Sequence, residues 1–145
     1  HSRDNARTPM QWDTNAHGGF TTAEPWLSVN PNYTRINAAA QVDDPKSVFS
    51  YYRKLIALRK QYDVISYGDF APLDEMHPSV LAYTRRFHGE QLVVINNFYR
   101  TEVDWNCPVD LDGFTCLLSN YANPSVQTKL RLRPYESLVL YRAAK

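Results

Sequence analysis

Seven short β-type segments follow one long amphipathic helix, and this order constrains the fold more than any other feature of the sequence. The segments are rich in branched and aromatic residues and are separated by Pro, Gly and Asn-Pro turns. Short strands at such spacing are typical of an antiparallel sandwich. We therefore predict a small all-β domain over residues 67–145, with strands at 70–73, 80–87, 91–98, 102–105, 114–118, 129–132 and 137–141.

The helix before this domain is predicted over residues 45–62, with a shorter helix over 36–42. Asp44 before Pro45 predicts its start, with Asp44 as the N-cap and Pro45 as the first helical residue. An apolar face with three- and four-residue spacing has to be buried, so we expect a packing partner for this helix. The residues of that face are Val48, Tyr51, Tyr52, Leu55, Leu58 and Tyr62.

A polar run, SRDNARTPMQWD, occupies residues 2–13 and has neither a helical nor a strand period. We predict a loop that its own polar contacts hold in shape, and such loops are where binding sites tend to be built. The carboxylates of Asp4 and Asp13 are expected to stabilise this loop, either by accepting backbone N–H groups or by pairing with Arg7.

The same run resembles the late-barrel segment of family-13 glycoside hydrolases, in their oligo-1,6-glucosidase branch. That branch includes α-glucosidases, dextran glucosidases, trehalose-6-phosphate hydrolases and sucrose isomerases. The similarity continues through residues 19–22, 24–26, 29–33, 48–60 and 132–136. The resemblance implies that residues 1–66 form the end of a catalytic (β/α)8 barrel, a long loop plus the last helix. Residues 67–145 would then be the small antiparallel β-sandwich domain that supports the barrel.

The function implied by the resemblance is retaining, exo-acting hydrolysis of α-glucosidic bonds in short oligosaccharides. By the same resemblance, Arg3 reaches the glucose subsite and hydrogen-bonds sugar hydroxyls, a task that suits the five fixed donors of a guanidinium. Arg7 is a second substrate-binding candidate, although the following Thr8-Pro9 favours a scaffolding turn. The catalytic carboxylates, and any metal site, would precede residue 1, so we expect this chain alone to be inactive.

Two alternatives stay open. The β-domain could be a non-catalytic carbohydrate-binding or structural module, or the complete protein could be a sucrose isomerase or a trehalose-6-phosphate hydrolase. Met10 is more typical of the hydrolases than of the sucrose isomerases, which more often carry Phe there. The loop aromatics either pack the loop down on the barrel or stack on sugar rings, and we favour packing; they are Trp12, Phe20, Trp26 and Tyr33.

Composition and spacing exclude several other classes. The 16 basic and 15 acidic residues leave a formal charge of +1, which argues against nucleic-acid or membrane-surface binding. The four histidines and two cysteines lack metal-ligand spacing, and we predict neither a metal nor a cofactor. For Cys116 a buried free thiol is favoured over a bridge to Cys107. The chain opens without an initiator Met or a signal peptide, so we expect a piece of a longer protein.

Overall fold

The computed structural model describes residues 3–144, so Ser2 of the polar run lies outside the described residues. The chain divides into two units, His1–Ile56 and Ala57–Lys145, which are described separately. No helix within residues 3–144 has both the length and the apolar character needed to cross a membrane.

The first unit is built from short turns of helix joined by polar loops. Three 3-10 segments cover Arg3–Arg7, Ala16–Gly19 and Pro31–Thr34. Helix α1 spans Ala38–Val42, close to its prediction. The Asn37 side chain caps it, because Asn37 Oδ1 accepts a hydrogen bond from the Ala40 N–H at 2.9 Å.

Helix α2 spans Val48–Gln61, three residues later in its start than predicted. The expected Asp44 cap is wrong, because that carboxylate instead accepts from the Lys46 N–H at 2.8 Å and closes a local turn. Ser47 takes the capping role, since its hydroxyl oxygen accepts from the Ser50 N–H at 3.1 Å. Much of the predicted apolar face is exposed in this chain, with Val48 at 66% and Tyr52 at 62%.

The second unit begins in the last turn of α2 and continues into a short helix, α3, at Asp63–Tyr67, which was not predicted. Seven antiparallel strands follow, and each predicted strand is confirmed with ends within one residue. Their bounds are β1 Asp69–Leu73, β2 Val80–Phe87, β3 Glu90–Asn97, β4 Val103–Asn106, β5 Thr115–Ser119, β6 Lys129–Leu132 and β7 Ser137–Arg142.

The strands form a five-stranded sheet in the order β1-β2-β3-β7-β5 and a two-stranded sheet, β4-β6. Strands β2 and β3 form a hairpin. Phe87 pairs with Glu90 across a two-residue turn, in which His88 and Gly89 both have positive φ, as a type I′ turn requires.

The main core contains buried side chains of both sheets. On the larger sheet they include Val93, Ile95 and Leu140, and on the smaller sheet Leu130 and Leu132. Each large buried apolar side chain contributes roughly 1.5–3 kcal/mol, so this core is the main source of stability in the unit.

A second cluster forms on the opposite face of the larger sheet, where Val64 of α3 packs with Leu92 and Val94. Helix α3 therefore covers part of a sheet face that solvent would otherwise reach. Cys107 and Cys116 are both free thiols, as favoured, although Cys116 is only half-buried. Burial raises the pKa of both thiols.

Candidate functional site

The first 3-10 segment brings the two candidate arginines to one carboxylate. The Arg7 guanidinium hydrogen-bonds directly to Asp4 Oδ1 in an i,i+3 ion pair. Arg3 Nε lies 3.7 Å from the same oxygen, and the Arg3 side chain is 83% exposed. Arg7 is therefore engaged in holding the loop, as the interpretation from sequence favoured, whereas most of the Arg3 guanidinium remains open to solvent.

Arg7 also lies near an aromatic ring of the same loop. Its Cζ is 5.9 Å from the centroid of the Trp26 ring, within the range of a cation–π contact. Trp26 is 88% exposed and Trp12 53% exposed in this chain. This exposure within the chain does not test the favoured interpretation, in which the rings pack the loop against a barrel, so that interpretation stays a prediction.

Asp13 shapes the next part of the loop. Its carboxylate accepts from the Asn15 N–H at 2.8 Å and from Asn15 Nδ2 at 2.9 Å. Gly19 has φ +67°, and a Cβ added there would lie only 2.5 Å from Asp13 Oδ1. The prediction that Asp4 and Asp13 stabilise the loop is confirmed. Position 19 favours glycine for two reasons, its positive φ and the closeness of the Asp13 carboxylate.

The end of the polar run is tied to helix α1. The carbonyl oxygens of Gln11 and Trp12 accept from the N–H groups of Ala38 and Ala39, each at 2.9 Å. These N–H groups have no partner within the helix, so the loop supplies what the first turn of α1 lacks. The Gln11 side chain donates to Asn32 Oδ1 at 2.9 Å, which fixes the loop against the third 3-10 segment.

Sequence reasoning missed Asn32 and Asn37 as members of this scaffold. Asn37 is buried, and its Nδ2 donates to the Tyr33 carbonyl at 2.8 Å while its oxygen caps α1. Asn32 lies 21 residues from Gln11 in the sequence, and only the fold brings the two side chains together. Within residues 3–144 no group of three His, Cys, Asp or Glu side chains is placed to hold a metal ion.

A shallow groove of about 330 Å³ lies beside this scaffold. Its walls come from residues 8–11, from residues 36–38 and from Gln41 and Phe49. The lining contains no charged side chain, and neither Arg3 nor Arg7 reaches it. The groove lining therefore contains no carboxylate, histidine or lysine that could act as an acid or a base.

Two family models match successive parts of the chain. Residues 1–68 match the alpha amylase catalytic domain, and residues 80–139 match the alpha-amylase SusG C-terminal domain. The oligo-1,6-glucosidase of Halalkalibacterium halodurans is 48% identical over 141 residues, which are 94% of this chain and 25% of that protein. The trehalose-6-phosphate hydrolase of Bacillus subtilis is 44% identical over 149 residues, 99% of this chain and 26% of that protein.

Solved structures agree with these matches. The trehalose-6-phosphate hydrolase of Bacillus licheniformis superposes with a TM-score of 0.90 at 40% identity, over 97% of this chain and 26% of that one. An isomaltulose synthase of Erwinia rhapontici, in complex with its natural substrate sucrose, superposes with a TM-score of 0.89 at 39% identity, with the same coverage. This chain thus spans about a quarter of the length of the curated relatives it matches.

The resemblance noted in the polar run extends through both units of the chain, in sequence and in backbone. Its two matched segments follow the order of a catalytic domain and the C-terminal domain after it. The chain belongs to the α-amylase family of glycoside hydrolases.

Proposed function

We propose that this chain is the C-terminal portion of a retaining, exo-acting α-glucosidase of the oligo-1,6-glucosidase type. Its first part, to about residue 66, would be the end of the catalytic (β/α)8 barrel, and the strands from residue 67 onward would form the supporting β-domain. The match of residues 1–68 to the catalytic-domain model supports this division.

Arg3 is the residue that we propose contacts substrate. The observation that carries the proposal is the contrast between two neighbouring arginines. The Arg7 guanidinium forms an ion pair with Asp4, whereas the Arg3 side chain is 83% exposed. A guanidinium held at the start of a rigid loop, with most of its donors free, can hydrogen-bond vicinal hydroxyls of the terminal glucose. Closing the end of a sugar pocket in this way selects cleavage of single glucose units.

Hydrolysis with retention needs two carboxylates about 5–5.5 Å apart, one as nucleophile and one as acid and base. We propose that both come from the part of the barrel outside this chain. Asp4 and Asp13 support the loop, and their hydrogen-bond partners are loop groups. The substrate partner of the complete protein would be a short α-glucoside oligosaccharide.

The test compares arginine variants in the complete protein, with kcat/KM measured for glucose release from isomaltose and maltose. Arg3→Ala should lower kcat/KM by roughly 10–100-fold, because hydrogen bonds from a charged donor are worth about 1.5–3 kcal/mol. Its Tm should stay unchanged, since the side chain is mostly solvated. Arg35→Ala, at an exposed arginine of the same unit, is the matched control. Near-normal kinetics for Arg3→Ala would overturn the assignment.

A substrate panel separates the remaining candidates. The relatives include an isomaltulose synthase and trehalose-6-phosphate hydrolases, so sucrose isomerisation and trehalose-6-phosphate hydrolysis are two other candidate reactions. The complete protein is therefore assayed on isomaltose, maltose, sucrose and trehalose 6-phosphate, with product analysis for sucrose. Glucose release from isomaltose supports the proposal, whereas an isomerised disaccharide from sucrose would identify an isomerase. No product from any of the four substrates would favour a non-catalytic carbohydrate-binding or structural module.

A further inference from the structure

The turn between β6 and β7 places a tyrosine where the backbone favours glycine. The Glu136 N–H donates to the Arg133 carbonyl at 3.1 Å, which closes a four-residue turn with Pro134 in its second position. Tyr135, in the third position, has φ +54°. A turn with Pro second and positive φ third is of the type that selects Gly or Asn at that third position. A bulky aromatic residue there is a backbone outlier.

Side chains from elsewhere in the domain hold this turn at each of three successive carbonyl groups. Asn97 Nδ2 donates to the Arg133 carbonyl at 2.9 Å, and the Tyr121 hydroxyl donates to the Pro134 carbonyl at 2.8 Å. Asn120 Nδ2 donates to the carbonyl of Tyr135 itself at 2.8 Å. A strained residue persists only when its surroundings over-determine it, and these three contacts do so here.

Within this chain, the Tyr135 side chain makes few contacts that could offset the backbone strain. It is 60% exposed, and its hydroxyl forms no hydrogen bond within residues 3–144. Its N–H donates to the Tyr99 carbonyl at 3.0 Å, which joins it to a second exposed aromatic stretch. Phe98 is 61% exposed and Tyr99 52% exposed. We call Phe98, Tyr99 and Tyr135 the Tyr135 patch.

We propose that the Tyr135 patch docks against the part of the complete protein that lies outside this chain, and that this contact is why tyrosine stands in the turn. The inference rests on the proposed function, because the missing surface would belong to the catalytic barrel. Relatives are about four times as long as this chain, so most of the complete protein is available as the occupant. Rigid tyrosine and phenylalanine side chains are also the residues enriched in the cores of interfaces.

The first experiment measures whether substitution of Tyr135 raises or lowers the Tm of the complete protein. Tyr135→Gly and Tyr135→Asn both remove the strain of holding tyrosine at a positive φ. If Tyr135 served only the turn, both variants would therefore have an unchanged or higher Tm. Docking predicts a lower Tm for both variants, because the buried ring is lost. Asn123→Gly is the matched control, since Asn123 is exposed with φ +53° outside the patch. An unchanged or raised Tm for both Tyr135 variants would overturn the proposal.

The second experiment leaves the sequence intact and uses hydroxyl-radical footprinting of the complete protein, with Tyr135 in the denatured protein as the fully reactive reference. Strong protection of Tyr135 without any sugar is the expected result. Equal reactivity in the native and denatured protein would overturn docking. Protection that appears only with added maltose would also overturn it, in favour of a sugar-binding surface. Glucose release is assayed on the same samples, so loss of the proposed function is recognised separately from loss of docking.

Discussion

The buried carboxylate of Glu136 accepts three hydrogen bonds from a single residue, Arg133. Glu136 Oε2 accepts from the Arg133 backbone N–H at 2.8 Å and from its Nε at 3.0 Å, while Oε1 accepts from the terminal guanidinium nitrogen. Glu136 is only 3% exposed. The two residues flank Pro134 and Tyr135, so this contact closes the base of the strained turn.

We expect Glu136→Gln to destabilise the protein by about 3 kcal/mol at pH 7, because one charged partner of a mostly buried pair is removed. Urea unfolding measures the change. Glu102→Gln is the matched control, since Glu102 pairs with Arg131 at an exposed site where the effect should be small. A loss no larger than that of Glu102→Gln would contradict the expectation.

The same pair predicts a pH dependence. Burial pushes the pKa of Glu136 upward, but the hydrogen bonds and charge of Arg133 together outweigh it and hold the pKa below the ordinary value of 4.5. A lowered pKa gives stability that is present above pH 4.5 and is lost as the pH falls through the folded-state pKa. The stability gap between wild type and Glu136→Gln should therefore narrow in acid, and a constant gap would argue against this linkage.

Periodicity and turn chemistry were enough to predict the β-domain, because its signals are local. The His88-Gly89 turn, for example, lies between two runs of branched and aromatic residues, and Gly89 supplies a positive φ without strain. Helix α3 escaped prediction because five residues are too few to show a period. What fixes it is burial of Val64 against β3, a contact distant in sequence.

Competition between neighbouring polar groups explains the wrong start of α2. Asp44 and Ser47 are both good N-caps, and sequence alone does not tell which one closes a turn and which one caps the helix. The turn around Tyr135 shows the opposite case, because the three side chains that donate to its carbonyl groups come from distant positions in the sequence. The candidate arginines were reached by resemblance, and their pairing with Asp4 agrees with the i,i+3 spacing of Arg7, whereas the role of Arg3 remains a prediction.

Two glycines with positive φ allow a test of the loop around Asp13. Alanine at either position meets the same backbone penalty of roughly 1–2 kcal/mol. Gly19→Ala should cost more, because its Cβ would lie 2.5 Å from Asp13 Oδ1, whereas at Gly113 the nearest atom is 3.8 Å away. The displaced Asp13 carboxylate would lose its two hydrogen bonds from Asn15.

Hydrogen exchange of a peptide covering residues 11–20 measures this local effect. Faster exchange in Gly19→Ala, with the peptide unchanged in Gly113→Ala, is the expected result. In the complete protein Gly19→Ala should also lower kcat/KM, if the loop supports the sugar site as proposed. Equal exchange in both variants would mean that the loop tolerates displacement of Asp13.

The Tyr141 hydroxyl donates a hydrogen bond to Glu90 across the end of the larger sheet, and its ring centroid lies 4.7 Å from that of Tyr62. Chiefly because of that bond to an anionic acceptor, and also through burial and charge, the pKa of Tyr141 is raised from 10.0 to about 12. The neutral phenol is the favoured form in the folded state. The stability that this contributes is fully present below pH 10 and is lost as the pH rises from 10 to 12.

NMR titration of protein labelled at the tyrosine ring carbons would follow this group directly, with Tyr141→Phe identifying its signal. Glu90→Gln should lower the pKa of Tyr141 toward 10, because the acceptor loses its charge and no longer penalises the phenolate. Glu75→Gln, at an exposed carboxylate in the loop after β1, should leave the Tyr141 signal unmoved. If Glu90→Gln leaves the pKa near 12, burial against Tyr62 rather than the hydrogen bond sets it.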